Sequence, residues 1–370
     1  MSDFDVIIVG GGIAGASLGA EIAARRRTLI IEAEDQCGYH TTGRSAAFWL
    51  AHYGGPEVMP LTLASHPFLE QGWPSGERSW LHTRGAVTIA CNYMELRETL
   101  AANTREAPLT EMKRAELDQR IPGLRQGWDH GAWDPSCADI DVGGLHQACL
   151  AHFRRAGGKI LGCSPLQSAR RSGDKWIVKA GSEQITADII VNAAGAWADD
   201  VATRCGVQPL GIKPYRRTIT QLRIGRTGLR DLPLINDALE RFYFKGEGDN
   251  RVWVSPHDET ASDPCDAAAD EVDIATAIDR FESVVDWPIE AVERSWAGLR
   301  SFAPDRLPVF GFDSVPGFFW CAGQGGFGIQ TSPAAAKLCA ALLSDEDSRA
   351  SPPRLNPAAL SPQRSDLRRK

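Results

Sequence analysis

The sequence predicts an α/β fold of two domains, on three observations. Residues 5–9 (Asp-Val-Ile-Ile-Val), a glycine run at 10–15, a small-residue helix pattern over 16–24 and a second apolar run at 28–32 make a complete β-α-β opening. From about 211 to 296 the texture changes to longer strand-like segments, with one helical pattern through Ile274, Ile278, Phe281 and Val285. Near the far end a second strand–glycine–helix junction runs from 318–322 through 323–328 into an Ala-rich helix reaching about 343.

Composition narrows the class. At roughly 150 residues per domain, 370 residues suit two domains with ample core. A net charge of −7 argues against a nucleic-acid binder, which needs a basic face. No apolar run reaches the roughly 18–20 residues of a membrane span, so no transmembrane segment is expected. Acids rather than Lys or Arg stand in Met-Ser-Asp-Phe-Asp, and no secretion signal is expected. The nine scattered cysteines form no CxxC pair, which suits reduced thiols rather than a disulfide framework or a zinc site; no metal is expected. The expected location is cytoplasmic, with peripheral association with an inner membrane left open.

The elements follow in order. The β-branched run at 5–9 suits a strand buried on both faces. Arg25, Arg26 and Arg27 close the first helix, where cations suit its negative end. Helical spacing recurs over 94–104 and over 110–120, the latter stopped by Pro122. Asp141 caps a helix over 142–156 with Leu145, Leu150 and Phe153 on one side. Strands are expected at 159–163, 176–180 and 185–191, the last ending in Asn192-Ala193-Ala194-Gly195. After Ser344 the chain turns polar and Pro-rich, which predicts a solvated tail over 346–370.

Glycine loops are common, so a GxGxxG pattern alone says little. Here the loop follows a strand, opens a helix and is answered 22 residues later by Glu32 at the end of the next strand. Gly10 permits the tight turn, Gly12 lets backbone N–H groups approach a pyrophosphate, and Gly15 lets the helix pack on the sheet. The helix N-terminus attracts phosphate, and Glu32 can accept from ribose hydroxyls. NAD and FAD share this device. Two segments favour FAD: the small-residue loop Thr41, Thr42, Gly43, Arg44, Ser45, Ala46, Ala47, and the second junction Gly325, Gly326, Phe327, Gly328, Ile329, Gln330. A helix N-terminus at that junction could meet the flavin edge where negative charge collects on reduction.

These motifs together resemble a family. GGGIAGAS, GYHTTGRSAA, NAAGAWAD, PYRRT, WAGLRSF and GQGGFGIQTS, in this order from about residue 4 to 343, are similar to the D-amino-acid oxidase-like FAD-dependent oxidoreductases, and most of all to the bacterial D-arginine dehydrogenase type. The resemblance implies a Rossmann-like FAD-binding domain (1–80, 140–210 and 295–345) with an inserted antiparallel-sheet substrate domain (81–139 and 211–294). It implies non-covalent FAD touching the first glycines with Ala14, then Glu32 with Ala33, the loop Thr41 to Phe48, Leu166, Gly195 and Gly325 to Gln330. It places a substrate carboxylate on Arg217 and Arg300, with Tyr53 and Tyr243 nearby and the Gly326 carbonyl facing the amino group.

The residues agree with that placement without requiring it. A planar guanidinium can bind a carboxylate through two parallel N–H groups, which Lys cannot. Arg216 and Arg217 are strand neighbours, so only one can face a cavity. A structural ion pair remains the competing reading for each arginine, and core packing for Tyr53 and Tyr243. His40, His52 and His146 have no metal-ligand spacing and read as satisfied or surface histidines. Cys321 reads as a buried inert thiol, and Trp197 and Trp296 as packing residues.

One departure from the D-arginine type carries a prediction. Where that type has a glutamate for the substrate guanidinium, this chain has Ala86, and the loop carries Phe48 and Leu50 in place of polar residues. A cationic side chain would be desolvated there without a partner, at a cost of about a few kcal/mol. The expected activity is oxidative deamination of a D-amino acid with an apolar or neutral side chain, by hydride transfer from Cα to flavin N5. The products would be an imino acid and then a 2-oxo acid and ammonia. The alternatives are oxidation of a secondary amine (sarcosine, proline or pipecolate type) or of a 2-hydroxy acid, and a flavin-binding subunit without turnover of its own. The electron acceptor — a quinone, a dye-like acceptor or oxygen — is left open.

Overall fold

The computed structural model describes residues 3–73, 79–105, 107–344 and 355–367. Its first sheet is built on five parallel strands in the order Lys159–Leu161, Thr28–Ile31, Asp3–Val9, Glu183–Asn192, Phe318–Ala322. The antiparallel strands Leu166–Ser172 and Lys175–Ala180 extend one path, and Val309–Phe312 pairs with Phe318–Ala322. Strand alternation divides the core. Val6 and Ile8 pack with the helices Ile13–Ile22, Val142–Arg155 and Gly328–Ser344, while Ile7 and Val9 pack with Trp176, Val178 and the helix Ala198–Arg204.

The second sheet has ten strands. Its centre is a long antiparallel pair, Lys213–Ile224 against Ile289–Phe302. Helix Glu271–Val284 covers one face, where Ala277, Phe281 and Val284 meet Leu222, Val252, Val254 and Phe244. Ile219, Tyr243, Ala86 and Leu234 occupy the other face with Phe48, Leu50 and Trp296. A small third sheet pairs Phe48–Trp49 and Leu81–Thr83 with Ala138–Ile140.

Several expectations are corrected. The first helix starts at Ile13 and ends at Ile22, so Arg25, Arg26 and Arg27 follow it instead of closing it. Arg26 Nη2 donates to the Leu343 carbonyl at 2.7 Å and Arg27 pairs with Asp5 at 2.8 Å, contacts between distant segments that helix-end electrostatics does not foresee. The helix expected over 110–120 is a strand, Thr110–Lys113, followed by the helix Arg114–Arg120. Cross-strand pairing of Thr110–Lys113 with His130–Asp134 overrides the local helical spacing. Strand Ile289–Phe302 lies in the second sheet on both sides of residue 295, its ladder with Lys213–Ile224 running from Lys213↔Phe302 to Ile224↔Ile289 with register shifts at Gln221/Leu222 and Arg223/Ile224. The expectation of a solvated tail does not hold for 355–367. Leu360 and Leu367 are 1% and 8% exposed, and Arg364 pairs with Asp305 at 2.6 and 2.8 Å. The rest of that tail, 346–354 and 368–370, lies outside the described residues.

Candidate active site

A cavity of about 440 Å³, within the usual range of small-molecule sites, runs from the first glycine loop to the face of the second sheet. At one end Gly10 has φ +103°, and a Cβ there would sit 2.6 Å from the Ala193 carbonyl. A Cβ on Gly15 would stand 2.0 Å from the Gly10 carbonyl oxygen, so this glycine sets helix–strand contact and does not line the cavity. The N-terminal N–H of Ile13 donates to Thr42 Oγ1 at 3.0 Å. Glu32 accepts from Gly11 N at 2.8 Å and from Glu34 N at 3.1 Å, which holds the acid beside the glycine loop.

His146 is a satisfied histidine, as the sequence reading allowed, and its partner is the glycine loop. It is 4% exposed, its Nε2 lies 2.8 Å from the Gly11 carbonyl, and burial pushes its pKa down. A neutral ring therefore donates to the loop backbone and fixes it. His40 and Trp197 also line the cavity, their rings 4.5 Å apart, so Trp197 is more than a packing residue.

The loop at 41–48 joins the two sheets. Thr41 Oγ1 donates to Leu299 O at 2.7 Å, Arg44 Nη1 donates to Ala267 O at 2.7 Å, and Arg44 Nη2 pairs with Asp266. Thr41, Thr42, Arg44, Ser45, Ala46, Ala47 and Phe48 line the cavity with Ala14, Ala33, Leu166 and Gly195. Gly43 does not: a Cβ there would lie 2.8 Å from the Gly38 carbonyl, which Gly43 N itself meets at 2.8 Å.

At the second junction Gly325 (φ +52°), Gly326, Gly328, Ile329 and Gln330 line the cavity, whereas Phe327 packs with Val58 and Phe302. A Cβ on Gly326 would reach to 2.2 Å from Tyr53 Oη and 2.5 Å from Arg300 Nη1, so glycine here leaves the room those two groups occupy. Gln330 is 2% exposed and spends its amide on the chain: Nε2 donates to Tyr53 O (3.2 Å) and Thr62 Oγ1 (3.0 Å), and Oε1 accepts from Leu50 N (3.1 Å). It positions the segment that carries Tyr53.

The ladder decides which arginine faces in. Arg217 pairs with Gly298 and Tyr215 with Arg300, which puts Arg217, Ile219, Trp296 and Arg300 on one face. Arg216 points to the other and donates to Asp273 at 2.7 Å. Arg217 and Arg300 are 6% and 8% exposed and line the cavity with Tyr53 and Tyr243. Arg217 Nε donates to Asp258 O at 2.9 Å, and Arg300 Nη1 donates to the Tyr53 hydroxyl. Asp258 Oδ1 lies 3.8 Å from Arg217 Nε and Glu259 Oε1 2.7 Å from Arg300 Nη2, yet Arg217 Nη2 and Arg300 Nε remain buried without a hydrogen bond, capacity that a further anion could use. Burial, with Arg300 adding to it, lowers the Arg217 pKa.

Sequence reasoning missed the segment 257–259 altogether. His257 (φ +56°) lines the cavity with its ring 5.9 Å from that of Tyr243. Burial first, then the two guanidiniums, push its pKa down to about 2, so it is neutral. The Asp258 carboxylate takes Thr218 N at 2.7 Å and Thr218 Oγ1 at 3.0 Å. Leu50 and Ala86 pack beside Phe48 and Tyr243 but do not line the cavity themselves. Cys321 lines it and lies 3.9 Å from Cys339, sulfur to sulfur.

The residues fit FAD. The two glycine cradles are spaces a Cβ would fill, Glu32 and Ala33 sit at one end, and the helix Gly328–Ser344 starts at the other. A family model described as FAD dependent oxidoreductase (DAO) matches residues 5–342. Among curated proteins, the bifunctional protein ThiO/ThiG of Nostoc sp. is 22% identical over 366 residues, covering 93% of this chain and 53% of that one. The mitochondrial dimethylglycine dehydrogenase of Homo sapiens is 23% identical over 353 residues, covering 88% and 40%. This chain thus spans about half the length, or less, of those relatives. The crystal structure of glycine oxidase from Geobacillus kaustophilus shares the fold with TM-score 0.82 and 21% identity, covering 98% of this chain and 99% of that one. With the model spanning both glycine junctions and everything between them, the chain belongs to the DAO family of FAD-dependent oxidoreductases.

Proposed function

We propose that the chain oxidatively deaminates a D-amino acid with an apolar or neutral side chain, giving an imino acid that water converts to a 2-oxo acid and ammonia. The observation that carries the reading is the pair of buried guanidiniums on one cavity face, whose Arg217 Nη2 and Arg300 Nε make no hydrogen bond although Glu259 Oε1 stands 3.7 Å from Arg217 Nη2. A substrate carboxylate would satisfy both. FAD, when bound, supplies the hydride acceptor for amine oxidation.

The chain's own part is orientation and charge. Arg217 and Arg300 fix the carboxylate, the Tyr53 hydroxyl braces Arg300, and Gly326 leaves room beside them. Neutral His257 and the buried Tyr243 hydroxyl, whose pKa burial raises, add no charge near the substrate amine. Phe48 and Ile219 give the cavity an apolar wall, and Leu50, Ala86 and Trp296 pack behind it. That wall is why we read an apolar preference into a motif set resembling the D-arginine dehydrogenase type; the D configuration rests on that resemblance alone. Nine free thiols suit a reducing compartment such as the cytoplasm. Among the described residues no helix is long and apolar enough to cross a membrane.

A second reading is oxidation of an N-substituted amino acid, favoured by the names of the relatives, which include a dimethylglycine dehydrogenase. One panel tests both. The purified holoenzyme is assayed with D- and L-leucine, methionine and phenylalanine, D-arginine, glycine, sarcosine, dimethylglycine and proline, with a redox dye and with oxygen as acceptors. Highest kcat/KM on D-leucine, D-methionine or D-phenylalanine is expected. Faster turnover of D-arginine sinks the apolar assignment, and preference for sarcosine or dimethylglycine sinks the primary-amine assignment.

A further inference from the structure

The proposed carboxylate clamp already carries a carboxylate. Glu259 Oε1 lies 2.7 Å from Arg300 Nη2 and 3.7 Å from Arg217 Nη2. The same acid reaches Arg306, whose Nη2 is 2.9 Å from Oε1 and 3.2 Å from Oε2. We propose that Glu259 is a specificity-determining residue, a tethered competitor that holds Arg300 until a substrate carboxylate arrives and then transfers to Arg306. The inference rests on reading Arg217 and Arg300 as the clamp.

Burial gives the arrangement its direction. The Arg300 and Arg217 side chains are 10% and 7% exposed, whereas Glu259 is 34% and Arg306 51% exposed. Glu259 therefore sits on the boundary, with buried cations on one side and a half-exposed one on the other. The buried Asp258 carboxylate lies 3.8 Å from Arg217 Nε, so the two guanidiniums share one fixed counter-charge; Glu259, tethered to the same chain, supplies a second at Arg300 without the entropy loss of capturing an ion from solution. Its contact with the half-exposed Arg306 is worth little by itself, so the shift is favourable only when an incoming carboxylate takes over the buried guanidiniums.

Both ends of the transfer are fixed. The Asp258 carboxylate is tied to Thr218, so the Glu259 backbone starts from an anchored residue and only its side chain needs to turn. The Arg306 guanidinium lies 3.9 Å from the Phe302 ring centroid, a stacking contact that holds it in place to receive the acid. Meanwhile Arg217 Nη2 and Arg300 Nε give an incoming carboxylate its first contacts, and repulsion between the two acids then favours release of Glu259 toward Arg306. A small anion with no other contacts must displace the tethered acid by carboxylate binding alone. An amino acid adds contacts from its amine and side chain. The device thus screens out simple anions.

The test uses wild-type, Glu259→Gln and Arg306→Met holoenzymes, titrated at constant ionic strength with acetate and with 3-methylbutyrate. Neither acid carries an α-amine to oxidise, and binding is read from the flavin absorbance change. Glu259→Gln should bind both acids about fivefold tighter or more, and Arg306→Met about threefold weaker. Unchanged or weaker binding by Glu259→Gln overturns the competitor role and leaves Glu259 a brace for Arg300. Unchanged or tighter binding by Arg306→Met overturns the transfer, and this arm stands on its own if the Gln variant does not load flavin. If neither wild type nor Glu259→Gln binds either acid, the clamp reading falls too; equal measurable binding by all three proteins sinks only the Glu259 proposal.

Discussion

Arg217 and Arg300 project from the same face of one antiparallel ladder, Arg217 opposite Gly298 and Arg300 opposite Tyr215. The loop residues Arg44 and Thr41 cross over Gly298, where a Cβ would lie 3.4 Å from Arg44 Cβ, and Tyr53 and Glu259 engage Arg300 from outside the ladder. Two like charges are thereby held close on a rigid support, an arrangement that favours a bound anion.

Replacing either arginine with Met keeps much of the volume and removes the charge. Arg300→Met or Arg217→Met should lower kcat/KM for the best amino acid by about 2–4 kcal/mol, roughly 30- to 1,000-fold. The flavin content of the purified variants should stay at the wild-type level. Steady-state kinetics together with the flavin spectrum check both parts.

Gly15→Ala tests the first glycine cradle. With a Cβ 2.0 Å from the Gly10 carbonyl oxygen, the helix must move off the strand. The expected result is a loss of about 2–4 kcal/mol of stability and weak or absent flavin retention, read by thermal unfolding and by the flavin-to-protein absorbance ratio.

Acid should destabilise the fold through its buried histidines. The folded pKa of His257 is pushed down to about 2, while an unfolded histidine takes up a proton near 6.5. Below that value the unfolded chain binds the extra proton, so this contribution is fully present above about pH 7 and shrinks as pH falls. Between pH 7 and 5.5 the loss should be about 1 kcal/mol from His257, with His146 adding in the same direction because burial lowers its pKa as well. Urea unfolding at both pH values measures it, and His257→Asn should flatten the dependence.

Ala86→Glu tests the apolar wall. Ala86 is 1% exposed and pairs with Leu234 and Asp134 on neighbouring strands, so the new acid should cost about 1–3 kcal/mol of stability. The ratio of kcat/KM for D-arginine over D-leucine should rise about tenfold. An unchanged ratio would separate Ala86 from side-chain selection.

The parts of this protein legible in the sequence are those whose physics is local. Strand 3–9, Gly10 to Gly15 and Glu32 lie within a few turns of one another, and each glycine answers a nearby steric demand. Asp141 as the cap of Val142–Arg155 is similarly local, its carboxylate accepting from Gly144 N at 2.8 Å. Thr110–Lys113 shows where such reasoning ends, since its helical spacing yields to a strand partner about twenty residues away.

The residue types alone therefore determined a glycine-cradled dinucleotide site, a pair of candidate arginines and an apolar loop facing them. Only the tertiary structure decided that Arg217 and not Arg216 turns inward, that Gln330 braces Tyr53 from 277 residues away, that His257 lines the cavity, and that His146 and Glu259 touch its glycine loop and Arg300. The reason is distance along the chain. Ladder register, burial and a hydrogen bond between remote segments come into being only when the two sheets close on one another, and no local pattern of residues records them.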